Sequence, residues 1–116
     1  MNVYILDVQG QGREQMVQWL TENKKVNSIE IFEDYIQFLE RTGKSPPDFC
    51  IIRLGEHTIP GLKAADMVGQ MSPDTKIVFV SNDGDYALDA YEIGVYGYLL
   101  SPVEKEKFLK YFFGAA

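Results

Sequence analysis

Between Pro47 and Leu54 the chain reads Pro-Asp-Phe-Cys-Ile-Ile-Arg-Leu. The run Phe49, Cys50, Ile51, Ile52 is apolar without alternation, and a short unalternating run bounded by turn residues marks a strand buried on both faces. Such a strand belongs in the middle of a sheet with a layer on either side. It ends on Arg53, whose guanidinium has five donors, no acceptor and a charge it cannot shed, so burying it is costly unless something anionic meets it. The strand argues the fold; the cation at its end is where function has to be argued.

The remaining elements fall into place around it. Asn2 to Val8 carries a second unalternating run, Val3, Tyr4, Ile5 and Leu6, with Asp7 at its carboxyl end and Gly10-Gln11-Gly12 stopping it. From Arg13 to Lys24 the apolar positions Met16, Val17, Trp19 and Leu20 recur at helical spacing, and Lys24 and Lys25 suit a helix C-terminus. Ser28 to Phe32 reads as a short edge strand beside the first. Asp34 caps a helix through Arg41 that turns Tyr35, Ile36, Phe38 and Leu39 inward and ends at Gly43 in a left-handed conformation. Lys44-Ser45-Pro46-Pro47 forces an extended entry into the central strand. Gly55 to Gly61 is a loop with Glu56, the only histidine, His57, and Pro60. Leu62 to Met71 is a helix whose Ala64, Ala65, Met67 and Val68 face a sheet, and Lys76 to Val80 is a strand closing on Ser81 and the turn Asn82-Asp83-Gly84. A helix from Asp85 to Ile93 stops at Gly94, a strand from Tyr96 to Leu100 stops at Ser101-Pro102, and a final helix from Glu104 to Phe113 turns Phe108, Leu109 and Phe112 to one face. Strand and helix alternating five times with short connections calls for α/β architecture, a parallel sheet covered on both faces.

Composition bounds what such a domain can do. At 116 residues the chain makes one domain, residues 1–116, and 46% hydrophobic against 24% charged residues is ordinary for a globular chain. Eleven Lys and Arg against seventeen Asp and Glu leave a formal charge of -6, which argues against direct binding of nucleic acid or of anionic membranes. Cys50 is the single cysteine, so there is no disulfide framework and no cysteine-based metal site. No run approaches the roughly 18 apolar residues that span a bilayer, and no basic region followed by an apolar one opens the chain, so a cytoplasmic address is expected.

The stretch Tyr86-Ala-Leu-Asp-Ala-Tyr-Glu-Ile-Gly94, followed by Tyr96-Gly-Tyr-Leu-Leu-Ser-Pro-Val103, resembles the fourth helix and fifth strand of bacterial response-regulator receiver domains, especially those attached to LytTR-type DNA-binding domains. Pro47-Asp48, Ser81 and Pro102 also fall where that family places its proline-aspartate, its serine or threonine, and its lysine-proline dipeptide. The resemblance implies a flavodoxin-like (CheY-like) three-layer α/β/α fold, a five-stranded parallel sheet in the order 2-1-3-4-5, with its working site at the carboxyl ends of the strands.

The family's chemistry is phosphoryl transfer from a histidine kinase to an aspartate, with a divalent cation held by acidic residues and a lysine that balances phosphate charge. Carried over residue by residue, the acceptor position is Arg53, which has no nucleophilic oxygen. The acidic pair after the first strand is reduced to Asp7, because its neighbour is Val8, and a hard cation prefers several oxygen ligands. The lysine position is Ser101. The hydroxyl of Ser81, the switch aromatic Tyr98 and the cis-prone Ser101-Pro102 peptide remain. This pattern implies a degenerate receiver, with no enzymatic activity, no metal and no cofactor, that acts by phosphorylation-independent protein interaction, regulating an attached or separate DNA-binding output domain. Alternatives are a working phospho-acceptor on a non-standard acid, Glu56 or Asp83, and a small-molecule-binding flavodoxin-like domain.

Several residues carry a plainer reading beside the functional one. Arg53 either pairs with Asp7 across adjacent strands or leans out into solvent. His57 reads as a solvated surface histidine. Gly10-Gln11-Gly12 has the look of a dinucleotide loop but lacks the third glycine, with Glu33 a weak candidate for the ribose-binding acid. Ser81 has no nucleophile-elbow setting. For a partner surface, Asp85, Asp89 and Glu92 on the fourth helix and Lys105, Lys107 and Lys110 on the fifth present opposite signs, with Tyr91 and Tyr96 between them. The expectation is a protein partner or a homodimer through the fourth helix, fifth strand and fifth helix; the bland alternative is two solvated helix faces. The terminal Phe113-Gly-Ala-Ala carries no export or anchor signal, and it leaves open whether the domain stands alone or precedes an output domain.

Overall fold

A computed structural model describes residues 1–8, 10, 12–55 and 58–114, the side chains of 58 and 59 excepted. Its elements are β1 (Asn2–Leu6), α1 (Arg13–Thr21), β2 (Ser28–Phe32), α2 (Tyr35–Lys44), β3 (Phe49–Leu54), α3 (Thr58–Met71), β4 (Lys76–Ser81), α4 (Ala87–Ile93), β5 (Gly97–Leu100) and α5 (Lys105–Phe113). All four strand pairings are parallel, in the order β2-β1-β3-β4-β5. This is the flavodoxin-like order, with β3 in the centre and every one of its six residues buried.

The strand register is pinned at the amino end by Asp48. Its N–H donates to the Asn2 carbonyl at 2.9 Å, its Oδ2 accepts from the Asn2 N–H at 2.7 Å, and its own carbonyl accepts from the Lys76 N–H at 3.0 Å. One residue thereby aligns the starts of three strands. Side-chain alternation then divides the core in two. Tyr4, Leu6, Cys50, Ile52, Ile77 and Phe79 pack against α2, α3 and α4, while Val3, Ile5, Phe49, Ile51, Val78 and Val80 pack against α1 and α5. The same parity carries Asp7 and Arg53, two residues beyond Ile5 and Ile51, onto the α1/α5 side.

Several helix boundaries and faces depart from expectation. Gly43 is helical: α2 continues to Lys44 and is capped at Ser45. The cause is Pro46, which drives the residue before it out of the helical region, so the chain stops one step before the prolines. Asp34 caps the other end as expected, its Oδ1 accepting from the Ile36 N–H at 2.9 Å. The Ile36 side chain, however, is exposed, as is that of Met67 on α3, since each lies on the outer side of its helix. Helix α1 ends at Thr21, leaving Lys24 and Lys25 beyond it, and α4 begins at Ala87, after Asp85 has spent its N–H on Asp83 Oδ1 at 3.0 Å. Helix α3 starts at Thr58 and takes in Pro60 and Gly61. Proline is tolerated in a first turn, where its missing N–H has no helical partner in any case. Gly61 is required for closeness, because a Cβ there would lie 2.6 Å from Leu54 Cδ2.

Cys50 lies in the middle of this core with no exposure, and burial pushes its thiol pKa above the ordinary value. Only the thiolate is nucleophilic, so the native protein should resist iodoacetamide at mildly alkaline pH and react within minutes once urea unfolds it. Rapid labelling without denaturant would mean that β3 is not the central strand.

Candidate functional site at the carboxyl ends of the strands

The loop after β1 closes over a buried ion pair. Asp7 is fully buried and the Arg53 side chain is 2% exposed, with Arg53 Nε 3.0 Å from Asp7 Oδ2. Of the two readings of Arg53, the structure selects the ion pair and rejects the solvated one. The other carboxylate oxygen, Oδ1, accepts from the Gly10 N–H at 2.9 Å. Gly10 and Gly12 both have left-handed backbone, φ +78° and +76°, which lets the loop turn its amide onto the carboxylate. Gly12 also abuts the guanidinium: a Cβ there would stand 3.6 Å from Arg53 Nη2. Arg13 ties the loop down from outside, its Nη1 reaching the Asp7 carbonyl and Glu33 Oε1, each at 3.2 Å.

Sequence reasoning missed the part played by Gly10, Gly12 and Arg13. The signal was present in Gly10-Gln11-Gly12, and it reads correctly once those glycines are seen to serve a carboxylate of the same chain. Val8, next to Asp7, is half exposed. Glu56 and His57 lie outside the described residues. Among the described residues no group of three His, Cys, Asp or Glu side chains gathers to hold a metal ion.

The other expected site residues line the same rim. Ser81, almost completely buried at the end of β4, accepts the Asp83 N–H on Oγ at 3.3 Å, and its carbonyl accepts the Ser101 N–H at 2.7 Å. The Ser101–Pro102 peptide is cis. Both residues join Arg53, Gly12 and Trp19 in walling a cavity of about 160 Å³ between the start of α1 and the end of β5. The Tyr98 hydroxyl donates to the Asp83 carbonyl at 2.7 Å, and its ring meets Phe79 edge-on. Burial pushes the Tyr98 pKa up, which keeps this hydroxyl a donor. Asp85, Asp89, Tyr91, Lys107 and Lys110 are all exposed, outside the rim and on the surface of the α4, β5 and α5 side.

The sequence profile of the response regulator receiver domain matches residues 3–113. The chain belongs to that family. Receiver domains are signalling domains of two-component systems. The chain is 25% identical over 112 residues to a response regulatory protein of Vibrio cholerae, covering 95% of this chain and 46% of that one. It is 23% identical over 107 residues to the sensory transduction protein LytT of Enterococcus faecalis, covering 92% and 44%. With the transcriptional regulatory protein BtsR of Escherichia coli it shares 26% over 112 residues, 95% and 46%. The chain thus spans just under half the length of these relatives. In fold it is similar to the response regulatory domain of protein mrkE from Klebsiella pneumoniae, with a TM-score of 0.85 at 17% identity over 96% of this chain and 91% of that one.

The ion pair gives this receiver domain a measurable signature. Truncating one member of a fully buried pair leaves an uncompensated charge, so Arg53→Ala should lower unfolding stability by about 3–5 kcal/mol. Replacing both members, Asp7→Leu with Arg53→Met, should cost less than either single change, since no charge is then left buried. Urea midpoints of Arg53→Ala, Asp7→Leu, Arg53→Met and the double variant check this; additive losses in the last three would show that the pair is not coupled.

Proposed function

We propose that this domain is a receiver that has given up phosphoryl acceptance and works as a phosphorylation-independent interaction module, controlling a DNA-binding output of the LytTR type. The observation that carries the reading is the Asp7–Arg53 pair. By resemblance, Arg53 stands at the acceptor position, and its side chain offers donors only, so there is no oxygen to form an acyl phosphate. The cation that the family holds with acidic residues does not fit these side chains. The two Asp7 oxygens already accept from Arg53 Nε and the Gly10 N–H, and a guanidinium lies where a divalent ion would need further oxygen ligands. Ser101 supplies no charge to balance a phosphate. Asp83, the alternative acceptor among the described residues, is exposed and uses an oxygen to bind the Asp85 N–H.

The module acts through α4, β5 and α5. Tyr98 is anchored to the β4–α4 loop by its bond to the Asp83 carbonyl, so the conformation of this face is held by backbone contacts without a phosphoryl group. Leu88 and Tyr91 on α4 are exposed, with Asp89 and Glu92 beside them, while α5 exposes Lys107 and Lys110. In a two-fold dimer each acidic α4 faces the basic α5 of the other copy, and both charge sets are met twice. Lys107 also lies 4.0 Å from Glu104 in its own chain, and exposed pairs of either kind contribute only about 0.2–1 kcal/mol, so apolar contact supplies the affinity and charge the register. The relatives named as LytT and BtsR are about twice as long as this chain, which supports an output domain beside the receiver.

Incubation with acetyl phosphate and magnesium should leave the intact mass unchanged, for wild type and also for Arg53→Asp, which restores a carboxylate without the second acid or the lysine. A phosphoryl adduct on wild type would overturn the reading. Sedimentation should show a weak dimer whose affinity falls with salt and with the double change Lys107→Glu, Lys110→Glu; a dimer indifferent to both would place the self-contact elsewhere.

A further inference from the structure

Strand β5 ends the sheet, so its outer edge pairs with no strand among the described residues. Along that edge runs an open groove of about 920 Å³, lined by Tyr98, Leu100 and Tyr111 together with Lys107 and Lys110 of α5 and the single acid Glu104, which lies 4.0 Å from Lys107. Gly97 sets its shape: a Cβ there would come within 2.4 Å of the Tyr111 ring, so only glycine lets α5 lie this close to the strand. On the opposite face of the sheet, α4 exposes Leu88, Asp89 and Glu92.

Resting on the reading of α4, β5 and α5 as the docking face, we propose that a partner protein docks here as an extended segment, a sixth strand added to β5, with acidic side chains turned toward α5. An added strand gains affinity from main-chain hydrogen bonds and specificity from alternate side chains. Because successive side chains point to opposite faces, every second residue would meet Lys107 and Lys110, and those between would meet Leu88, Asp89 and Glu92. The matching segment therefore alternates acidic with apolar or basic residues. A second copy of β5 does not meet this requirement. Antiparallel pairing of two β5 edges about a two-fold axis sets α5 beside α5 and α4 beside α4, so lysines face lysines and acids face acids. The same lysines discourage indiscriminate pairing at an open edge and select for acidic strands.

Short capped peptides alternating glutamate with valine, the same peptides with lysine for glutamate, and an N-methylated glutamate–valine version test the proposal against the isotope-labelled protein. The glutamate–valine peptide should shift the α4, β5 and α5 resonances and slow exchange of the outward β5 amides on the order of tenfold or more. The lysine peptide and the N-methylated peptide should do neither, and Lys107→Glu with Lys110→Glu should weaken binding by about tenfold or more. No binding at millimolar glutamate–valine peptide overturns the proposal. So does binding on this face without protection of the β5 amides, or equal binding of the N-methylated peptide; either of these two results leaves the face as a docking surface while rejecting strand addition.

Discussion

A full positive charge and a full negative charge are buried within 3.0 Å of each other at the top of the sheet, and the geometry around them follows from that constraint. Two desolvated ions are tolerable only when their remaining donors and acceptors are met, which is why the β1–α1 loop folds inward. Gly10 supplies an amide to the second Asp7 oxygen, two left-handed glycines allow the turn, and Arg13 fastens the loop to Glu33 on the far side. The carboxyl ends of two adjacent strands, β1 and β3, are thereby joined by an internal counterion.

Both halves of the core carry aromatic contacts. On the α2, α3 and α4 side Phe32 meets Tyr4 and Phe38, and Ala64, Ala65 and Ala90 bring helices near the sheet. On the α1 and α5 side Phe108 lies against Phe112 and Phe49 against Phe112 at ring separations of 4.7 and 4.5 Å. The ion pair lies on this second side, so the rigidity of α1 and α5 bears on the site more directly than that of the other three helices.

Much of this was legible in the residues themselves. The unalternating runs at Val3–Leu6, Phe49–Ile52 and Ile77–Val80 declare strands buried on both faces, and with five alternations they leave few topologies open. Asp7 and Arg53 could be paired on paper because adjacent strands and an unsheddable charge leave little else for the guanidinium to do. Boundaries were harder. Gly43 carries a strong stop signal locally, yet the helix runs past it because the prolines downstream act on Ser45. Ile36 and Met67 fit an apolar face by spacing, but a short helix offers too few residues to tell which edge of an apolar stripe meets the sheet. Gly61 has the local look of a loop residue, because its reason for being glycine, the approach of Leu54, is a tertiary contact that local sequence does not show.

Trp19 is the only tryptophan of the chain, and it stands in the wall of the cavity it shares with Arg53, Ser101 and Pro102. Its indole also packs on Phe108 at 5.4 Å, tying it to α5. The chain therefore contains a built-in optical reporter, a single fluorophore whose emission answers at once to the polarity beside the guanidinium and to the seating of the last helix. Changes at the top of the sheet can be followed by light from the native molecule, without a label and without disturbing either charge.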